Sequence, residues 1–116
     1  MQWMVISAHK SNYPNPIHFQ SGDLVDVGIK DGDFPGWIWV TTLDRNQGWA
    51  PIQYLRMEAN GKSAVATQSY SAQELDTKIG KVLRLHGELN GWGWVENEDH
   101  AFGWVPMDSI QPINKL

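Results

Sequence analysis

The sequence Gly-Trp-Ile-Trp-Val at residues 36–40, followed by Gly-Trp-Ala-Pro at residues 48–51, is the strongest indication of how the chain folds. Both signals return later, as Gly-Trp-Gly-Trp-Val at residues 91–95 and Gly-Trp-Val-Pro at residues 103–106. Four pairs share one spacing of 55 positions: Trp37 with Trp92, Trp39 with Trp94, Trp49 with Trp104, and Pro51 with Pro106. Because tryptophan is a rare residue, one spacing that fits all four pairs indicates an internal duplication.

The repeat length predicts how the chain is divided into domains. A sequence of 116 residues suits one average domain or two very small ones, and the repeat favours two. A unit of this size buries only about 60% of the surface that its unfolded chain exposes, so its core needs large apolar side chains. The chain has no cysteine for disulfides, but it has seven tryptophans. We predict domains at residues 1–57 and 64–116, with a linker at about residues 58–63.

The charge and hydropathy of the chain exclude several classes of partner. The net charge is −4 and no basic cluster is present, so nucleic acid is not expected to bind. No apolar run approaches the roughly 18 residues that a membrane span needs, so no membrane partner is expected. The first residues, MQWMVISAHK, lack the charged and apolar regions of a signal peptide. These features predict a cytoplasmic protein.

Short segments with β-strand character follow one another along the whole chain, and no segment of ten residues has helical periodicity. Loops rich in glycine, proline, asparagine and aspartate separate them. The predicted strands cover residues 3–7, 23–29, 37–43 and 48–50 in the first repeat, and 64–70, 81–86, 92–97 and 102–105 in the second. This pattern predicts an all-β fold made of two tandem, small, antiparallel and partly open β-barrels.

The order of these motifs resembles the Src-homology 3 (SH3) domain, and most of all the bacterial variant branch of that family. In the family, an Ala-Leu-Tyr-Asp-Tyr-like strand leads into a long loop, an acidic loop precedes a tryptophan, and a Gly-Trp-hydrophobic-Pro turn leads to a tyrosine. In the first copy, His9 and Lys10 stand at the start of that first segment, Ser11 at its first tyrosine, and Tyr13 matches a family tyrosine. In the second copy the segment is Ala66–Tyr70. The resemblance covers nearly the whole chain as two tandem SH3-like copies.

The resemblance implies a non-catalytic module whose aromatic groove binds an extended, polyproline-type peptide or a protein partner. Flat aromatic walls give such a ligand a large contact area at little entropic cost, and acidic groups beside the groove would receive a basic residue of the ligand. The peptide-binding residues that the resemblance implies in the first domain are Tyr13, Asp31, Asp33, Trp37, Trp49, Pro51 and Tyr54. A weaker groove in the second domain, where Ser109 replaces the family tyrosine, comprises Tyr70, Glu74, Glu88, Trp92, Trp104 and Pro106.

Two other functions stay open at the level of sequence. In the first, the chain is a structural adaptor whose domains pack groove to groove or assemble into a homo-oligomer. Trp39 and Trp94 are the candidates for packing between domains, and Trp3, which has no counterpart in the second copy, either closes the first barrel or lies between domains. In the second, the aromatic platforms bind a cell-wall component or another sugar.

The chain carries no sequence pattern of an enzyme. It lacks a cysteine nucleophile, a Gly-x-Ser-x-Gly motif, a phosphate-binding glycine loop and a spaced set of metal ligands. We therefore expect no catalytic activity and no cofactor. His9 and His18 flank one loop, and a metal site shared with Asp23 is the alternative to two ordinary histidines.

Overall fold

The computed structural model describes residues 2–113, which form short β-strands and two single-turn 3-10 helices, Ile52–Tyr54 and Met107–Ser109. The described residues form twelve strands: β1 (Gln2–Val5), β2 (His18–Phe19), β3 (Leu24–Lys30), β4 (Trp37–Thr41), β5 (Gln47–Pro51), β6 (Leu55–Met57), β7 (Ser63–Ala66), β8 (Tyr70–Ser71), β9 (Val82–Leu89), β10 (Trp92–Glu96), β11 (Phe102–Pro106) and β12 (Ile110–Pro112). The predicted all-β class, with small SH3-like antiparallel barrels, is confirmed.

The strands belong to two compact units. We call Asn15–Ala72 the central unit, and Met1–Pro14 together with Gln73–Leu116 the terminal unit. The sheet of the central unit has the strand order β5-β4-β3-β7-β6, and β2 pairs with β8 beside it. The sheet of the terminal unit has the order β11-β10-β9-β1-β12. The two sheets therefore have the same arrangement, with β7 in one where β1 stands in the other.

These units differ from the contiguous division at residues 1–57 and 64–116 that the repeat predicts. Strand β1 pairs antiparallel with β9 and β12, both of which lie in the second repeat. Strand β7 pairs antiparallel with β3 and β6, both of which lie in the first repeat. Each unit thus receives its first strand from the other repeat. The outer ends of the predicted domains, Met1 and Leu116, lie outside the described residues.

A tight turn between β6 and β7 explains one half of this strand exchange. The N–H of Glu58 donates to the carbonyl of Ser63 at 2.9 Å, and Gly61 has a φ of 67°. The side-chain oxygen of Asn60 accepts hydrogen bonds from the N–H groups of Lys62 and Ser63, at 2.9 and 3.1 Å. The predicted linker at 58–63 is therefore a hairpin turn that runs into β7. Because the turn is so short, β7 returns directly beside β6.

Side-chain size explains why β1 is not at the same place in the central unit. Ala64 lies opposite Val25 in the central sheet and is fully buried. Trp3 holds the equivalent place in the terminal unit, opposite Leu83, where it packs on the core and is half-buried. A tryptophan in the space of a buried alanine would overpack the central core, which is destabilising. The residue without a counterpart in the second copy thus assigns β1 to the terminal unit.

The exchange leaves the central unit as one continuous stretch of chain. The chain leaves the terminal unit after Pro14 and returns to it at Gln73. Within the central unit, the N–H of Ala72 donates to the carbonyl of Ile17 at 2.9 Å, which holds its two ends together. The central unit is accordingly a circular permutation of the barrel, inserted into the long loop of the terminal unit.

Each unit has a small core of aliphatic side chains. In the terminal unit Trp3, Leu85, Ala101 and Met107 pack at partial burial around a cluster of six buried residues: Val5, Leu75, Leu83, Val95, Val105 and Ile110. In the central unit the buried apolar residues include Ile17, Val25, Ile38, Val40, Ala50 and Leu55. In β4 and β10 the core residues alternate with tryptophans, which places the tryptophans on the opposite face of the sheet.

Candidate functional site

Cross-strand aromatic pairs mark the outer face of both sheets. In the central unit Trp37 lies opposite Pro51, and Trp39 lies opposite Trp49 with ring centroids 5.1 Å apart. In the terminal unit Trp92 lies opposite Pro106, and Trp94 opposite Trp104, again with ring centroids 5.1 Å apart. Opposed residues on one face of a sheet are the pairs that contact each other most closely. The duplication therefore repeats the same aromatic surface in the two units.

The structure brings together only part of the site predicted in the first domain. Trp37, Trp49, Pro51 and Tyr54 all lie in the central unit, whereas Tyr13 belongs to the terminal unit and is 44% exposed. Tyr70, predicted for the second groove, is the tyrosine beside Tyr54: the two rings lie 6.1 Å apart at 78°. The strand exchange thus supplies the tyrosine wall of the central groove from the other repeat.

The central groove is only partly exposed: Trp49 and Tyr54 are half-buried, and its other residues are buried. Trp37 retains 7% of its accessible surface, Tyr70 retains 8%, and Pro51 is fully buried. The Nε1 atom of Trp37 is also buried, and it has no hydrogen-bond partner among residues 2–113. An extended ligand needs the faces of such residues to be open. The central groove therefore offers a peptide little of Trp37, Tyr70 and Pro51.

The acidic loop before Trp37 uses one of its carboxylates for its own structure. Oδ1 of Asp31 accepts hydrogen bonds from the N–H groups of Asp33 and Phe34, at 2.9 and 3.2 Å. The N–H of Asp31 donates to the carbonyl of Trp37 at 2.9 Å, and Asp33 is exposed. Asp31 is thus a loop-stabilising residue, and Asp33 is the acid of this loop that faces solvent.

The equivalent groove of the terminal unit is more open. Trp92 and Pro106 are each only half-buried. The imidazole of His9 lies edge-on to the Trp92 ring, with centroids 5.5 Å apart at 78°. Ser109 is buried and its hydroxyl donates to the carbonyl of Pro106 at 2.6 Å, so it contributes no wall in place of the family tyrosine. The open groove consists of His9, Trp92 and Pro106.

The acids predicted for the second groove have different surroundings. Glu74 is half-buried, and its Oε1 lies 2.6 Å from Nε2 of His9. Oδ1 of Asp76 accepts a hydrogen bond of 2.7 Å from the N–H of Ser11 while the residue stays exposed. Glu88 is exposed near the end of β9, next to a tight hairpin turn at Asn90 and Gly91 with positive φ at both residues. Trp104 is buried.

Sequence reasoning missed His9 as a groove residue because it matched Tyr13 with the family tyrosine. In the structure, His9 forms the bridge to Thr77 that corresponds to the pairing of Tyr70 with Phe19 in the central unit. The apolar run of β1 could have identified His9, because Val5 in that run is equivalent to Ala66. Val5 lies opposite Ile110 in the terminal unit, as Ala66 lies opposite Leu55 in the central unit. Counting on from Val5 and Ala66 places His9 at the position of Tyr70.

A second polar and aromatic cluster lies elsewhere on the terminal unit. Glu96 forms hydrogen bonds to Nδ1 of His100 at 2.8 Å and to Nε2 of His86 at 2.9 Å. The bonds to His100 and then His86 hold the pKa of Glu96 below its ordinary value. The Phe102 ring stacks on Trp94 with centroids 6.1 Å apart and lies 5.3 Å from the His86 ring. The equivalent places in the central unit carry no such cluster of histidine and glutamate.

The metal hypothesis finds no geometric support in the part of the chain that the structure describes. His9 belongs to the terminal unit, whereas His18 and Asp23 belong to the central unit. Within residues 2–113 no three or more histidine, cysteine, aspartate or glutamate residues form a group that could hold a metal ion. In the same residues, neither 3-10 helix has the length and apolar character to cross a membrane.

Comparison with known proteins agrees with this geometry. Residues 4–58 match the family described as "Variant SH3 domain", a span slightly under half of the chain. This stretch of the chain is similar to a variant SH3 domain. The match begins in β1 and ends just after β6, so the matched residues lie in both units of the structure.

The chain is also similar to parts of two large proteins. It is 26% identical to Intersectin-1 of Xenopus laevis over 137 aligned residues, covering 97% of this chain and 8% of that protein. It is 25% identical to SH3 and PX domain-containing protein 2A of Mus musculus over 100 residues, covering 86% of this chain and 9% of that protein. The chain therefore spans less than a tenth of these relatives. No solved structure matches the chain significantly. The variant SH3 match and these relatives support a protein-interaction module.

Proposed function

We propose that the chain is a non-catalytic interaction module that binds an extended, proline-rich segment of a partner through the groove of the terminal unit. The observation that carries this proposal is the greater exposure of Trp92 and Pro106 compared with Trp37 and Pro51, the residues at the equivalent places. Trp92 and Pro106 are half-buried, whereas Trp37 is 7% exposed and Pro51 is fully buried. The site around Trp37 stays a prediction, and its low exposure favours the terminal groove.

The chemistry of the terminal groove suits an extended ligand. The edge-on rings of His9 and Trp92 form one wall, and Pro106 extends the apolar floor. A polyproline-type helix presents flat ridges that fit between such surfaces without a large loss of side-chain entropy. Asp76 and Glu88 are exposed acids of the same unit, so they raise the association rate of a ligand with basic residues more than its affinity.

A binding measurement on matched tryptophan variants tests this proposal. We expect proline-rich peptides to shift the indole N–H signal of Trp92 in an NMR titration, with smaller shifts at Trp37. Trp92→Ala is expected to weaken binding by about 30-fold, because truncation of an aromatic anchor at the centre of an interface costs about 2 kcal/mol or more. The control is Trp37→Ala, read at a temperature where the variant is folded. Equal losses of affinity in the two variants would contradict the assignment to the terminal groove.

The burial of Trp37 favours a structural role for the central groove, in line with the adaptor hypothesis. A tryptophan that is 7% exposed contributes to stability through its contacts, and truncation of a buried aromatic residue typically costs about 3–5 kcal/mol. Trp37→Ala is therefore expected to lower the free energy of unfolding by more than Trp92→Ala does. Urea denaturation followed by fluorescence measures both, and an equal or smaller loss for Trp37→Ala would count against the structural role.

A further inference from the structure

His9 is held rigidly at the edge of the terminal groove. Its N–H donates to the hydroxyl of Thr77 at 3.1 Å, and its carbonyl accepts a hydrogen bond of 2.8 Å from the N–H of Thr77. This reciprocal bridge fixes the backbone of His9 to the second arm of the long loop. The imidazole is therefore directed at its neighbours by the backbone and by contact with the Trp92 ring.

The neighbour that His9 engages is an acid beside the groove. Nε2 of His9 lies 2.6 Å from Oε1 of Glu74, and the two side chains are only 14% and 11% exposed. Hydrogen bonds to a carboxylate are among the stronger ones in proteins. Such a bond is stronger where water has little access than on an open surface. Glu74 is thus occupied by a partner from its own chain.

The central unit has different residues at the places of both His9 and Glu74. There Tyr70 pairs with Phe19 as His9 pairs with Thr77. Buried Ile17 and Leu75 precede Phe19 and Thr77 by two residues, so Pro16 stands where Glu74 stands. One unit has a tyrosine and a proline at these places, and the other has a histidine hydrogen-bonded to a glutamate. The pair is a specific feature of the terminal groove.

We propose that His9 occupies Glu74 in place of a basic residue of the ligand, and so sets the specificity of the groove. This inference rests on the proposed function. An arginine that reaches Glu74 must first displace the imidazole, and it exchanges one hydrogen-bonded partner of the carboxylate for another. The arginine therefore adds little to the binding free energy. The groove selects extended apolar segments, with little preference for a basic residue beside Glu74.

A double-mutant cycle with two matched peptides tests the inference. The probes are a ten-residue proline-rich peptide with a single arginine and the same peptide with glutamine in its place. The natural chain is expected to bind both peptides with affinities within about twofold of each other. His9→Phe keeps an aromatic ring beside Trp92 but frees the carboxylate, so it is expected to prefer the arginine peptide by about tenfold. Adding Glu74→Gln to His9→Phe is expected to abolish that preference.

Each outcome of this cycle either supports or overturns the inference about His9. If the natural chain already prefers the arginine peptide by tenfold, and Glu74→Gln alone removes the preference, the inference is wrong while the proposed function stands. This arm needs no change at His9, so it remains decisive where His9→Phe fails to fold. If neither peptide binds the natural chain or the variants, the proposed function falls, and the inference falls with it. Binding in which His9→Phe leaves the peptide preference unchanged overturns the inference alone.

Discussion

Engineered disulfides distinguish the exchanged topology from two contiguous domains. Gln2 lies directly opposite Arg84 in the pairing of β1 with β9, and both residues are exposed. Ser63, which holds the place of Gln2 in the other unit, lies opposite Asp26. The chain has no cysteine of its own, so introduced pairs are unambiguous. We expect the double variant Gln2→Cys and Arg84→Cys to form a disulfide, and Gln2→Cys with Asp26→Cys to remain reduced.

The size of the effect follows from the loop that the bond closes. Directly opposed residues of antiparallel strands have Cα atoms about 4.5–5.5 Å apart, which suits disulfide geometry. A loop of about 80 residues corresponds to roughly 4.5 kcal/mol of stabilisation through loss of entropy in the unfolded chain, and engineered bonds often give less. We expect the oxidised Gln2 and Arg84 variant to be more stable than its reduced form by about 2–4 kcal/mol.

Mass spectrometry of unreduced digests identifies the bond, and urea denaturation with and without reductant measures its effect. Non-reducing electrophoresis shows whether the bond lies within one chain. The reasoning is refuted if Gln2→Cys bonds with Asp26→Cys and not with Arg84→Cys, because β1 would then close the central unit. A bond between Gln2→Cys and Arg84→Cys found only in covalent dimers would refute the exchange within a single chain.

Two further predictions concern the terminal unit. A Cβ at Gly103 would lie 2.6 Å from the backbone nitrogen of Leu75, whereas one at Gly48 would meet only a side chain, at 3.2 Å. We expect Gly103→Ala to lower the free energy of unfolding by about 2–3 kcal/mol and Gly48→Ala to lower it by under about 1 kcal/mol, as measured by urea denaturation. Equal losses in the two variants would contradict this packing. Hydrogen bonds from His100 and a second histidine lower the pKa of Glu96 from an ordinary value of 4.5, so their contribution to stability is present above pH 4.5 and is lost as the pH falls through the lowered pKa. An NMR titration of the Glu96 carboxyl group checks this, and an acid limb of stability that is the same in Glu96→Gln would count against it.

Much of the fold was predictable because it depends on local patterns. The alternation of Trp37, Ile38, Trp39 and Val40 fixes which face of β4 is buried, and the structure has that alternation. The repeat spacing likewise predicts two copies of one sheet. Short strands such as β6 and β12 were not predicted, since three residues carry too little periodicity.

The exchange was not predictable from the repeat, because the spacing of 55 residues is the same whichever first strand completes each sheet. Its local cause, the turn at Asn60 and Gly61, was interpreted as a linker, although Asn-Gly is a strong hairpin signal. The match of Tyr13 with the family tyrosine was wrong for the same reason, since the repeat does not show which first strand completes which sheet. The pairing of His9 with Thr77 depends on which arm of the long loop it meets, and that is a long-range property of the fold.

The insertion of one unit into the other also sets an order of assembly on the ribosome. The central unit is complete once Ala72 has been made, whereas β1 must wait for β9 and for β12 at Ile110–Pro112. Until β7 has been made, β1 is a first strand with which β3 and β6 could pair. Trp3 is too large for the space that Ala64 fills, so overpacking would weaken any such early pairing and favour its replacement by β7.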